Sequence, residues 1–200
     1  MRLDRKQIDK LKWRLGLKGF HGVSSDGRSG GLGMFWNDEI NLHVSGYSKY
    51  HIDAMVNNAG AIPWRLTCIY GEAQVQERYK TWDKMRELVG QSDAPWVLIG
   101  DFNEVLQANE HDGIGRRSQN QVDLFRAAVD DCALMDLGYT GINWTFEKKV
   151  TGGSFTRVRL DRALACAAWR SAFPEAIVQH VNAVASDHNP IFLSLHAPTD

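Results

Sequence analysis

Between residues 4 and 16, Ile8, Leu11 and Leu15 recur at helical spacing, with Arg5, Lys6, Lys10, Lys12 and Arg14 around them. This pattern predicts an amphipathic helix with a basic outer face. From residue 31 to 71 the period shortens to β-rich runs, "GLGMFW", "NLHVSGYS", "YHIDAMVN" and "WRLTCIYG", punctuated by Asn, Asp, Gly and Pro, which predicts an antiparallel meander. Residues 74–89 return to helical spacing, with Val75, Tyr79, Trp82, Met85 and Val89 three or four apart. The run Trp96, Val97, Leu98, Ile99 is apolar without alternation, the signature of a strand buried on both faces.

The second half continues the alternation of strands and helices. "QANEHDGIGRRSQN" is rich in Gly, Asn and charge and predicts a surface loop carrying Arg116 and Arg117. Residues 121–134 predict a helix with Val122, Phe125, Val129 and Cys132 facing inward. "NWTFEKK" and "SFTRVRLDRALA" read as a hairpin turning at Gly152 and Gly153. A short helix around Trp169, a strand "AIVQHV" and a polar loop leading into a last strand, "SDHNPIFLSL", close the chain. With 200 residues, 44% of them hydrophobic, and no repeat or linker, the sequence predicts one domain, residues 1–200.

Composition narrows the function classes. The formal net charge of −1 gives no global positive field, so any polyanion site must be a local patch. The basic face of the first helix is read either as a solvated surface or as such a patch. Cys68, Cys132 and Cys166 form no CxxC pair and lie in apolar segments, which favours packing in a reducing compartment over metal or disulfide chemistry. "GRSGG" lacks the GK[ST] ending of a phosphate-binding loop. No apolar stretch approaches membrane-spanning length, so the expectation is an intracellular protein, nuclear or cytoplasmic, with no membrane partner.

Three polar clusters stand at predicted strand ends: Asp101 with Asn103 in "IGDFNEV", Asp161 in "RLDR", and Asp187 with His188 in "SDHNP". Singly, each is equally well a turn or a surface ion-pair ladder. Together they supply what metal-assisted phosphodiester cleavage needs: carboxylates for Mg²⁺ and a water, an amide for orientation and an imidazole near the phosphoryl group.

The ordered set "IYG", "IGDFNEVL", "NWTF", "RLDRAL" and "SDHNPI" resembles the endonuclease/exonuclease/phosphatase superfamily, of which deoxyribonuclease I and abasic-site endonucleases are members. "RSGGLGMFW", "ERYKTWDKM" and "RLDRALACAAWRSAFP" more closely resemble plant LINE-type retrotransposon endonuclease domains. The resemblance implies an α+β fold, a four-layer α/β/β/α sandwich of two mixed β-sheets with the active site between them at one edge. It assigns Tyr70 to the phosphate region, Asp101 to the attacking water, Asn103 to steadying both, and Asp161 to orienting the histidine. Asp187 becomes the metal-site acid and His188 the imidazole at the scissile phosphate. Thr145 matches a polar substrate-side residue, although its order, Trp-Thr-Phe, reverses the usual Phe-Thr-Trp. Arg116, Arg117, Arg157 and Arg159 are expected on phosphates.

Two family features have no counterpart in this sequence: a first strand with an Asn motif, and a second ending in a Glu that ligates metal. The expectation is therefore a truncated family fold with weakly bound Mg²⁺ or Mn²⁺, and a homodimer through the exposed sheet edge. The partner is expected to be nucleic acid, DNA ahead of RNA. A catalytically inactive derivative serving as a nucleic-acid-binding or protein-interaction module is the alternative, with a small-phosphoester phosphatase third.

Overall fold

The computed structural model describes residues 10–12, 14–24, 31–113, 115, 117–149 and 152–196. Its centre is a six-stranded mixed sheet in the order β3 (Leu42–Ser48), β4 (His51–Val56), β5 (Trp64–Tyr70), β6 (Trp96–Asp101), β12 (Asp161–Cys166) and β8 (Leu134–Asp136). Within this sheet, β5 and β6 are the one pair of neighbours that run parallel. They are joined by α1 (Tyr79–Val89), as a parallel pair needs a crossover.

One face of this sheet is covered by α1 and α2 (Gln119–Asp131). Ile69, Leu98 and Leu164 pack there against Trp82, Met85, Leu88, Phe125 and Val129 in one buried cluster. Trp82 stacks on Phe125 with ring centroids 4.4 Å apart, and Phe102, just beyond β6, lies 5.4 Å from Phe125. The helical core thus reaches to the loop that follows β6.

The opposite face carries a second layer divided into smaller sheets. A hairpin of β1 (Gly19–Val23) and β2 (Leu32–Trp36) packs Val23, Leu32, Met34 and Trp36 against Ile52, Ala54 and Val44. A three-stranded sheet of β14 (Ile191–Ser194), β13 (Ile177–His180) and β9 (Thr140–Gly141) forms beside it. The short helix α3 (Ala167–Ala172) brings Trp169 into a cluster with Val97, Ala165 and Leu193. A third small sheet joins β10 (Phe146–Lys149), β11 (Phe155–Val158) and β7 (His111–Asp112). Trp64, Leu66, Cys68 and Tyr70 point to this second layer and are only half-buried, whereas Arg65, Thr67 and Ile69 on the helical face are buried.

Several expectations are revised. β2 leaves the meander to pair with β1, a strand that the Gly-flanked "GFHGV" does not announce. The helix at 74–89 opens as a 3-10 turn, Val75–Glu77, and becomes α-helical only at Tyr79. Of the expected stripe Trp82 and Met85 are buried, whereas Val75, Tyr79 and Val89 are exposed, and Thr81 and Leu88 complete the inner face. The second helix ends at Asp131, with Leu134 opening β8. "SFTRVRLDRALA" is split between two sheets, β11 and β12. Residues 10–12 and 14–15 of the first helix are helical; the rest of its predicted stripe up to residue 9, and Arg116, lie outside the described residues. Among the described residues no helix is long and apolar enough to cross a membrane.

Phe125 links both helices to the loop after β6. Phe125→Ala is expected to cost about 3–5 kcal/mol, read as a lower denaturant midpoint with an unchanged slope.

Candidate active site

Tyr70, Asp101 and Asp161 are direct register partners across β5, β6 and β12, so a row of three side chains crosses the sheet on the face turned to the second layer. Gly100 permits this junction. Its φ of 144° belongs to glycine, and a Cβ there would meet the Ile69 carbonyl oxygen at 2.1 Å. Gly71 plays the same part beyond Tyr70: its N–H donates to the Asp101 carbonyl at 2.6 Å, and a Cβ would meet the Phe102 backbone at 2.6 Å.

His188 arrives from the second layer. Its Nδ1 is hydrogen-bonded to Asp161 Oδ2 at 2.9 Å, and its Nε2 lies 4.0 Å from Asp101 Oδ2. The loop bearing it is fastened to the start of β10: Glu147 N–H donates to the Asp187 carbonyl, Asn189 N–H to the Thr145 carbonyl, and the Asn189 side-chain amide to the Trp144 carbonyl. Phe146 meets the imidazole edge-on at 5.1 Å. Asn189 and Phe146 are positioning groups that sequence reasoning did not single out; the polar residue directly after Asp187 and His188 was the available signal for the first.

Thr145 is fully buried, and its Oγ1 accepts from the backbone N–H of both Leu160 and Asp161 at 2.8 Å. It therefore sets the start of β12, whereas the resemblance placed it on the substrate side. Arg159 is also relocated. Its guanidinium donates to Asp136 and Glu110, stacks over Tyr139 at 4.6 Å and is buried, so it is spent on structure and cannot meet a phosphate. Burial would raise the Glu110 carboxyl, but the charge and hydrogen bonds of Arg162 outweigh it and hold the group below its ordinary range. Arg157 pairs with Glu147, and the Arg117 Nε lies 3.7 Å from Glu104.

Asn103 sits at φ 55°, in the left-handed region. Its backbone N–H donates to Asp101 Oδ1 at 2.8 Å, and its side-chain amide to the Gly71 carbonyl at 2.8 Å and Asp101 Oδ2 at 3.2 Å. Burial, and then the charge of Asp161, push the Asp101 carboxyl up to about 6, against the pull of His188, the Asn103 N–H and Arg78. The hydrogen bond that the imidazole N–H donates to Asp161 raises His188 above its ordinary value, burial opposes this, and the charges of Asp161, Asp101 and Asp187 add to it.

Asp101, Asp161 and His188 bring one potential ligand atom each within 4.8 Å of one another, the only such group among the described residues. Two carboxylates held this close fit a divalent cation with oxygen preference, since such a cation would relieve the repulsion of Asp161 that adds to burial in raising Asp101. His188, with one nitrogen engaged by Asp161, is the less suited of the three. Asp187 is exposed and stands outside this group. A cleft of about 510 Å³ opens beside it, lined by Asn143, Trp144, Arg157, Asn182 and Asn189.

A layered α+β sandwich with an acid–histidine cluster at the sheet edge defines a deoxyribonuclease I-like protein. A sequence model of the Endonuclease/Exonuclease/phosphatase family matches residues 3–188, and the chain belongs to that family. Among solved structures it is similar to the endonuclease domain of TRAS1, a telomere-specific non-LTR retrotransposon, with TM-score 0.66, 12% identity and coverage of 96% of this chain and 92% of that one. It is also similar to a Bacteroides thetaiotaomicron mannosyl-6-phosphatase, with TM-score 0.55, 18% identity and coverage of 94% and 80%. Truncated Caenorhabditis elegans TDP2 gives TM-score 0.55, 14% identity and coverage of 95% and 80%. Comparison with curated proteins finds no significant match in sequence.

The raised Asp101 carboxyl has a consequence for stability. A carboxyl whose folded pKa stands above its ordinary 3.8 destabilises the fold progressively as pH climbs from that value to about 6, and by a constant amount above it. Asp101→Asn removes the charge, so in EDTA the variant is expected to unfold later than wild type at pH 8, by about 1–2 kcal/mol once the lost Asn103 contacts are discounted. The gain should vanish at pH 4. Melting curves at the two pH values check it, and an equal difference at both rejects the assignment.

Proposed function

We propose that this chain is a phosphodiesterase of the retrotransposon-endonuclease type that cleaves nucleic acid, DNA in preference to RNA, with Mg²⁺ or Mn²⁺. The observation that carries the reading is the His188–Asp161 pair facing Asp101 across 4.0 Å at the edge between the layers. Family membership and the fold shared with the TRAS1 endonuclease domain support it.

In this reading Asp101 receives the proton of the attacking water on a carboxylate that faces His188 Nε2 across 4.0 Å. Asn103 fixes both Asp101 oxygens. Asp161 orients His188 and favours its charged form, so the imidazolium faces the oxygens on which negative charge accumulates. Asp101 and Asp161 would hold the divalent cation, with Asp187 on the adjoining loop, and the cation would supply charge neutralisation at the phosphate. No glutamate joins this cluster among the described residues; Glu104 is bound to Arg78 and Glu110 to Arg159 and Arg162. Cleavage is accordingly expected to need a high concentration of metal.

Supercoiled plasmid nicking tests this directly. Wild type with Mg²⁺ or Mn²⁺ should open the plasmid, Asp101→Ala and His188→Ala should each slow it by at least about a hundredfold, and EDTA should stop it. Equal nicking by all three proteins would assign the activity to a contaminant.

A self-association is proposed on separate grounds. β14 and β1 each pair with one neighbour among the described residues, and Phe192 of β14 is exposed, which leaves strand edges beside apolar surface. Light scattering should report a dimer that dissociates on dilution; a monomer across the whole accessible concentration range rejects it.

A further inference from the structure

Asn103 holds the Asp101 carboxylate from φ 55°, a left-handed turn that asparagine tolerates but that its neighbours must fix in place for the carboxylate to be set. On one side it is anchored by Phe102, fully buried in the helical core. On the other side the anchor is a charge. Glu104 is 0% exposed, receives a hydrogen bond from Arg78 through Oε2, and accepts the N–H of Val105 through Oε1 at 2.9 Å.

Arg78 is itself 4% exposed and stands at the start of α1, where its other terminal nitrogen reaches the Ala73 carbonyl at 3.5 Å. The pair therefore ties the segment after Gly71, whose carbonyl receives the Asn103 amide, to the residue directly after Asn103. Arg117 approaches the same carboxylate from the surface at 3.7 Å, as a second, half-exposed cation.

A buried ion pair is a poor device for stability alone, because desolvation of both charges consumes most of their attraction and an apolar pair of similar volume holds a fold as well or better. Its advantage is geometric: it accepts one arrangement only. We propose that Arg78 and Glu104 are positioning residues that hold Asn103 in its left-handed turn and thereby set the Asp101 carboxylate. The inference rests on the phosphodiesterase reading for its kinetic consequence and on the fold alone for its structural one.

The test separates positioning from stability. In R78M/E104M, an apolar pair replaces the charges. The thermal midpoint should return to within a few degrees of wild type, while plasmid nicking keeps an unchanged KM and loses at least about tenfold in kcat. Hydrogen exchange of the Asn103 backbone N–H, which the Asp101 carboxylate protects, should quicken by a similar factor. R78K keeps the charge without the guanidinium fork and should fall between the two on both readouts, and it decides the matter if the double variant does not fold.

Native kcat with native exchange at Asn103 overturns the proposal, and so does a kcat loss with exchange unchanged. If wild type does not nick at all, the enzymatic reading fails by itself, and exchange at Asn103 still decides whether the ion pair sets the turn.

Discussion

A slip of one residue between β6 and β12 would turn Asp161 to the helical face, burying its charge in the apolar cluster that holds Leu98 and Phe125, and carry Leu164 off that face. The site depends on this register more than on any single contact. Asp101 and Asp161 are the first or last residues of their strands, so the row they form with Tyr70 lies where the sheet ends and backbone can diverge. Gly100 and Gly71 make the divergence possible by letting two backbones approach more closely than any side chain allows.

The two faces of the sheet do different work. The helical face is apolar and closely filled, with Trp82, Met85, Phe125 and Leu164 at 2% exposure or less, and stability is concentrated there. The other face is covered in pieces, and the central strand β5 stays half-buried along it. Charged residues that do enter the interior come in sets: Arg65 with Asp53, Arg78 with Glu104, and Arg159 and Arg162 with Glu110 and Asp136. Each set ties segments distant in sequence, and the last joins the loop after β6 to β8 and β12.

Much of this was legible in the sequence where a local pattern carries the information. The run at 96–99 announced the central strand, and the polar residues at its end, in "RLDR" and in "SDHNP" announced where chemistry collects. What escaped notice is non-local. Arg159 in "RVRLDR" has the sequence appearance of a phosphate ligand, and only the partners brought by Glu110 and Asp136 make it structural. Glu104, one residue after Asn103, has the appearance of a surface acid until Arg78, 26 residues away, draws it inside. In α1 the spacing finds Trp82 and Met85 on the buried face, but it counts Val75, which lies in the 3-10 turn before the helix and is exposed.

Residues 144–147 hold Asp161 through the Thr145 hydroxyl and the His188 loop through the Trp144 and Thr145 carbonyls and the Glu147 N–H. The acid stands at the start of β12 and the imidazole on the loop between β13 and β14, yet one tetrapeptide clasps both. Their errors of placement are therefore correlated: a displacement of this clasp carries the pair together and leaves their mutual 2.9 Å contact intact. The coordinate left free to vary is the distance of the pair from Asp101.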